Sequence, residues 1–209
     1  MTITNGYCTL AELQDWSDFA VPSQQNNQEA VVTAVSRWIE QYTQRHFWQD
    51  GDDSPVARVF DTCDPYVVDL GPFNDLVSIT ALKTDQGNDG TYETTWDTTD
   101  YQPAPVNTTG PEQRPYTQVR AVLGRTFPSP DRRAGRIQIT GVWGWPAVPQ
   151  AVTQACLIQT ARVLKRRQAP EGVVGFADLG VVRMQPRLDA DVQALLDPYR
   201  HPNTAVLVG

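Results

Sequence analysis

RIQITGVWGWPAVPQAVTQACLIQTARVLKRR, residues 136–167, changes its period in mid-stretch, and that change decides the fold. At its start Ile137 and Ile139 alternate with Gln138 and Thr140, the two-residue period of a strand with one buried face. Pro146 and Pro149 then interrupt the chain, because proline brings no N–H to a ladder. Beyond them a helix is predicted from about 149 to 167, with Val152, Cys156, Leu157, Ile158, Ala161, Val163 and Leu164 apolar on more than one face. A helix of that kind is buried in something: a bundle core, a subunit interface, or both. Lys165, Arg166 and Arg167 close it with the cations that a helix C-terminus favours.

Upstream, the chain is first helical. Thr9 followed three places later by Glu12 is a capping box, and Leu10, Leu13 and Trp16 predict a short helix over 9–18. A second helix is predicted at about 28–46, capped by Asn26 or Asn27. Its stripe is Val31, Ala34, Val35, Trp38, Ile39 and Tyr42, with Arg37, Glu40, Gln41 and Gln44 on the other side.

Between these helices and the opening stretch, residues 50–146 hold most of the Pro, Gly, Asp and Thr, and helical periodicity is lost. Strands are predicted at 57–60, 66–70, 75–83, 91–96, 116–122 and 136–142. In 75–83, Val77, Ile79 and Ala81 alternate with Ser78 and Thr80, and Asp89-Gly90 reads as the hairpin turn that follows. Segments 97–115 and 124–135 read as long loops, which in compact domains usually serve a purpose. Past the third helix, 168–184 is a Gly-rich apolar loop or small hairpin. A last helix over 189–197 buries Val192, Leu195 and Leu196 and stops at Pro198.

Composition narrows the chemistry. The net charge of −7 argues against a general nucleic-acid binder, which needs a basic surface to displace counterions. It permits a protein that DNA slides past. Cys8, Cys63 and Cys156 are odd in number and widely spaced, so they read as free thiols of a reducing cytoplasm. With only His46 and His201 to add imidazoles, no metal site and no cofactor are expected. The start MTITNGYCTL lacks the basic n-region and apolar run of a signal peptide, and no stretch reaches a membrane span.

Asp85 to Gly90 superficially matches a calcium loop, but position 3 is Gly87 and position 12 is Trp96, so the turn reading stands. His46 ends an amphipathic helix beside Phe47 and Trp48, where packing outweighs catalysis. His201 lies near the terminus, where order is usually poor. There is no G-x-S-x-G, Walker A or G-x-G-x-x-G motif, and no catalytic residue is expected. The cluster Arg162, Lys165, Arg166 and Arg167 reads as a helix end with ion pairs, rather than as a DNA contact.

Several segments in order carry a resemblance. They are Tyr7-Cys-Thr-Leu-Ala-Glu-Leu, Ala34-Val-Ser-Arg-Trp-Ile-Glu-Gln-Tyr-Thr-Gln-Arg-His-Phe and Leu76-Val-Ser-Ile-Thr-Ala-Leu-Lys-Thr-Asp with Asp89-Gly-Thr-Tyr-Glu-Thr-Thr-Trp. Gly141-Val-Trp-Gly-Trp-Pro-Ala-Val-Pro, Val174-Gly-Phe-Ala-Asp-Leu-Gly-Val-Val-Arg and Leu195-Leu-Asp-Pro-Tyr-Arg complete the set. Together they resemble the head-to-tail connector (head completion adaptor) proteins of siphoviruses, in particular their actinophage-type members.

The resemblance implies an α+β, mainly α fold: a small helical bundle with a β-rich excursion between the second and third long helices. Its parts would be N-terminal helices over 1–49, the excursion over 50–146, C-terminal helices over 147–198 and a docking tail over 199–209. It implies a structural, non-enzymatic virion protein of the phage neck, assembled in the host cytoplasm. Copies of the chain would form a ring, usually of twelve, between the portal and a stopper or tail-completion protein, with no membrane partner. Genomic DNA would pass through the lumen without sequence-specific binding. Twelve copies at −7 would carry roughly −84, which lets DNA slide. Tyr199, Arg200, Ala205, Val206, Leu207 and Val208 are the expected portal-docking residues. Trp143, Trp145, Phe176, Leu179, Arg162 and Arg166 are the expected subunit-interface residues. Another neck or tail-side component, such as a stopper or tail terminator, is the competing reading.

Overall fold

A computed structural model describes residues 3–16, 25–50, 54–106, 114–130, 134–168, 173–176, 180–183 and 188–202. The elements are α1 (Leu10–Trp16), α2 (Gln25–Thr43), β1 (Val56–Phe60), β2 (Val67–Asp69), β3 (Leu76–Thr84), β4 (Thr94–Thr95), β5 (Tyr101–Ala104), β6 (Gln118–Ala121), β7 (Ile137–Trp143), α3 (Gln150–Gln168), β8 (Val173–Phe176), β9 (Gly180–Arg183) and α4 (Ala190–Leu196). They form two compact units. One takes residues 1–44 and 148–200, the other 45–147 and the chain from His201.

The helical unit is organised around α3, which packs on α1, α2 and α4. That explains its apolar girth: Val152, Ala155, Cys156, Leu157, Ala161 and Leu164 are all buried within the protomer. The capping box at α1 forms as the sequence predicts. The Thr9 N–H donates to Glu12 Oε2 at 2.7 Å and the Glu12 N–H donates to Thr9 Oγ1 at 3.2 Å.

The buried face of α2 is rotated from the predicted stripe. Val31, Val32, Val35 and Ile39 are buried, but so are Ser36, Glu40 and Thr43, while Ala34 is exposed and Trp38 and Tyr42 are half-buried. Polar residues are tolerated there because each has a partner. Ser36 Oγ donates to the Val32 carbonyl at 2.8 Å and accepts the Tyr7 N–H at 3.1 Å. Glu40 accepts the Tyr7 hydroxyl at 2.9 Å and pairs with Arg37 at 2.6 Å. The predicted loop or hairpin over 168–184 contains a two-stranded antiparallel pair, β8 with β9, in which Val173 lies opposite Arg183 and Phe176 opposite Gly180.

The second unit holds two antiparallel sheets, ordered β1-β7-β3-β4 and β2-β6-β5. Their facing side chains make one core: Val68, Leu70, Leu76, Leu82, Trp96, Tyr101, Val119, Phe127, Ile137, Ile139 and Trp143. Strand β7 alternates as its sequence predicts, with Ile137, Ile139, Gly141 and Trp143 buried. Gly141 is required, because a Cβ there would sit 2.2 Å from the Ser78 carbonyl oxygen of the neighbouring strand. The register of β3 against β7 shifts between Leu76 and Ser78 and again between Ile79 and Ala81. The predicted alternation holds, with Val77, Ile79 and Ala81 part-buried and Ser78 and Thr80 exposed, while Leu76 and Leu82 at the two ends are fully buried.

The expectation of a mainly helical bundle with an excursion is therefore overturned. The chain between α2 and α3 is a compact two-sheet body with its own apolar core, not an extension of the helices. Two local readings change with it. The predicted loop 97–115 contributes β5, which pairs with β6 from Tyr101 opposite Ala121 to Ala104 opposite Gln118. The predicted tight turn at Asp89-Gly90 is part of a longer connection, since β3 and β4 pair only at Lys83–Thr95 and Thr84–Thr94.

Candidate assembly surfaces and the pairs behind them

No helix among the described residues is long and apolar enough to cross a membrane. The polar chemistry within each unit orients side chains. In the helical unit Asp189 caps α4 by accepting the Asp191 N–H at 3.0 Å, and its carboxylate pairs with Arg162 of α3. The Gln159 side-chain carbonyl, fully buried on α3, accepts the Asp189 N–H at 3.2 Å. At the other end of α4, Asp197 accepts the Tyr42 hydroxyl at 2.6 Å and the Arg200 guanidinium lies 5.3 Å from the Tyr42 ring centre. Partial burial, then the Asp197 hydrogen bond, raises the Tyr42 hydroxyl above its ordinary range.

The sheet unit has a buried ion pair. Arg45 bonds Asp75, whose second oxygen accepts the Trp145 indole N–H at 2.9 Å. Burial pushes Asp75 up to about 6, against the pull of Arg45 and Trp145, and the same burial lowers Arg45. His201 is buried, 2% exposed. Burial, then the Arg45 charge, lowers its imidazole below the ordinary value. His46 stacks on Trp48 at 4.7 Å and lies 3.4 Å from Asp50, a packing role as expected.

The residues assigned from sequence to assembly fall in different places. Trp143 and Trp145 are 0% and 1% exposed and serve the sheet unit's own packing. The Trp143 indole donates to the Val56 carbonyl at 2.7 Å under the Arg58 guanidinium. Tyr199 is buried in the helical unit, where Arg162 and Arg200 make the contacts above, and Arg166 is part-buried near the end of α3. Phe176 closes β8; Leu179 and Ala205, Val206, Leu207 and Val208 lie outside the described residues.

Sequence reasoning missed the apolar residues that do face outward. Among the described residues these are Val56, Val59, Tyr66, Phe73, Val106 and Leu123 on the sheet unit, the last 79% exposed, and Trp16 on the helical unit. Val56 and Val59 stand on β1, an edge of the four-stranded sheet. The available signals were weak: Val-Ala-Arg-Val-Phe does not say which side faces a core, and Leu123-Gly124 reads simply as a turn.

Asp85, Asp89 and Glu93 bring carboxylate oxygens within 4.8 Å of one another. Asp85 accepts the Asp89 and Gly90 N–H groups, Asp89 that of Thr91, and Glu93 those of Gln86 and Gly87. The cluster shapes the β3–β4 connection, and the backbone bonds to Asp85 outweigh its desolvation and hold it below the usual carboxylate range.

The fold is similar to that of chains in two solved particle structures. One is a chain in the neck of an empty gene transfer agent (GTA) particle computed with C6 symmetry. The TM-score is 0.52 and the identity 20%, covering 96% of this chain and 92% of that one. A chain of the virion of a native GTA particle matches at a TM-score of 0.51 and 18% identity, with the same coverage. No protein-family model and no curated protein matches the chain.

Proposed function

We propose that this chain is a structural head-to-tail adaptor in the neck of a tailed-phage virion. Copies of it form a ring, of twelve by the resemblance, joining the portal to the stopper or tail and letting DNA pass through the lumen. The observation that carries this reading is the likeness to a particle-neck chain over 96% of this chain and 92% of that one. The surface supports it: among the described residues seven large apolar side chains face outward, two of them on an edge strand. The acidic balance suits a DNA passage.

The docking role belongs to Ala205–Val208, an apolar run of the sequence. Within the helical unit Tyr199 is buried and the Arg200 guanidinium lies 5.3 Å from the Tyr42 ring centre. The competing reading, a stopper or tail terminator, is favoured by one observation, the independent two-sheet core.

The test mixes purified protein with portal rings and follows them by mass photometry and negative-stain microscopy, with and without residues 203–209. A portal-bound ring that needs those residues supports the adaptor and the docking run. A ring that forms without them keeps the adaptor and discards the docking run. Absence of portal binding under all conditions, together with binding to a tail-side component, moves the assignment to the stopper reading.

A further inference from the structure

Cys8 and Cys156 lie 148 positions apart in sequence, yet their sulfurs are 3.3 Å apart. Both are buried, at 3% and 0% exposure, one just before α1 and the other on α3. The third cysteine, Cys63, is exposed on the sheet unit. A disulfide needs sulfurs about 2.05 Å apart, so closure asks for an approach of about 1.3 Å, within reach of a small side-chain rotation.

We propose that Cys8 and Cys156 form an oxidisable pair, a covalent modification site that a hydroperoxide converts to an intramolecular disulfide tying the segment before α1 to α3. The step balances as two thiols plus hydrogen peroxide giving one disulfide plus two waters. The Cys156 thiolate attacks one peroxide oxygen, the O–O bond breaks, and a sulfenic acid forms as hydroxide leaves and takes up a proton. The Cys8 sulfur then attacks the sulfenic sulfur, the S–O bond breaks, and the second water leaves with the Cys8 proton. Each sulfur is oxidised by one electron and the peroxide oxygens are reduced.

The surroundings favour Cys156 as the attacking sulfur. The Cys8 thiol donates to it and holds it below the ordinary thiol range against the opposing effect of burial, while sharing that hydrogen raises Cys8. Thr160 Oγ1 lies 3.9 Å from the Cys156 sulfur and Ser36 Oγ 3.7 Å from it. Ser36 Oγ gives its hydrogen to the Val32 carbonyl, and the Tyr7 backbone N–H adds to the groups that lower Cys156.

The consequence is topological. In the reduced chain the segment before α1 is held on α2, through Tyr7 to Ser36 and Glu40 and through the Asn5 carbonyl to Arg37. The disulfide would fasten it to α3 as well. The loop so closed, residues 8–156, contains α2 and all seven strands of the sheet unit. In a reducing compartment the pair stays a dithiol; exposure to peroxide outside it sets the bond. The proposal stands apart from the adaptor reading and does not depend on it.

The test uses the full chain with Cys63→Ser, so that only the pair remains. The protein is treated with hydrogen peroxide or with a phosphine reductant, denatured, alkylated without reduction and weighed. The reduced sample should take two alkyl groups. The oxidised sample should take none, weigh about 2 Da less and yield one cross-linked peptide containing Cys8 and Cys156. Its Tm should rise by about 5 °C or more, reversibly on reduction, with no rise in Cys8→Ser. Two alkyl groups after peroxide, separate sulfinic acids, or disulfide-linked dimers would each overturn the proposal. The alkylation count uses no change at either cysteine of the pair, so poor folding of Cys8→Ser leaves the test intact.

Discussion

Tyr42 and Asp197 are 155 positions apart in sequence and 2.6 Å apart in space, and their hydrogen bond fastens the end of α4 to the end of α2. A bond to a charged acceptor is among the stronger kinds, but this one stands at the solvent edge and its net worth is accordingly modest. Tyr42→Phe removes the hydroxyl and keeps the ring under Arg200. The expected loss is about 1 kcal/mol. Amide exchange should accelerate over 190–200 and remain unchanged in β7; equal protection in both chains would refute the assignment.

Gly141 predicts a larger effect. With a Cβ position 2.2 Å from the Ser78 carbonyl oxygen, Gly141→Ala must part β7 from β3 at the centre of the four-stranded sheet. The expected cost is about 3 kcal/mol or more, by overpacking and loss of ladder bonds. Gly71 is the control: its φ is +71° but nothing lies within 4 Å of its Cβ position, so Gly71→Ala should cost only about 1 kcal/mol. Urea unfolding of both variants separates steric exclusion from backbone strain.

Asp75 gives the sheet unit a pH dependence of known sign. Its folded value, about 6, lies above the ordinary carboxyl value, so the folded state holds this proton after the unfolded chain has released it. Stability from this group is therefore full below about pH 4, falls as pH rises to about 6, and is level beyond, by an amount on the order of 2–3 kcal/mol. Other carboxylates titrate in the same range, so the comparison is with Asp75→Asn, which keeps the shape. The wild-type stability minus that of the variant should fall between pH 4 and 6. A difference that rises with pH would mean that Arg45 outweighs burial.

How much of this was legible follows from the range of each interaction. The Thr9–Glu12 cap and the strand-to-helix change through Trp145 and Pro149 are local, and period and capping chemistry reveal them. The buried face of α2 was misjudged because Glu40 is rescued by Tyr7, 33 positions away, which no helical wheel contains. In β3 the alternation of Val77, Ile79 and Ala81 with the exposed Ser78 and Thr80 was legible, whereas the two register shifts against β7 were not, because they depend on a strand about 60 positions away. Strand β5 reads Tyr-Gln-Pro-Ala, and its proline argues against a strand except at an edge, which is where β5 lies. Trp143 and Trp145 are buried within the chain itself, a placement that aromatic content alone does not reveal. The mainly helical expectation failed for the same reason: the sheet unit's core is assembled from short strands whose contacts are all distant in sequence.

Leu123 supplies the most direct test of assembly. It is 79% exposed, and its φ of +53° is a conformation that a branched residue adopts at a cost. The turn it occupies is closed by the Arg125 N–H donating to the Val122 carbonyl at 3.0 Å, without help from the Leu123 side chain. A leucine held in a strained conformation and facing water contributes little to the protomer, whereas at an interface its side chain would be buried. Leu123→Asp should leave the protomer's stability within about 0.5 kcal/mol, since aspartate accepts this conformation more readily. On the adaptor reading the same change should weaken ring formation on the portal by about tenfold or more, through loss of a buried apolar contact and burial of a charge. Mass photometry across a concentration series measures both species at once. Ring formation unchanged by Leu123→Asp would remove this turn from the interface, while a lost ring with a lowered Tm would assign it to the protomer's own fold.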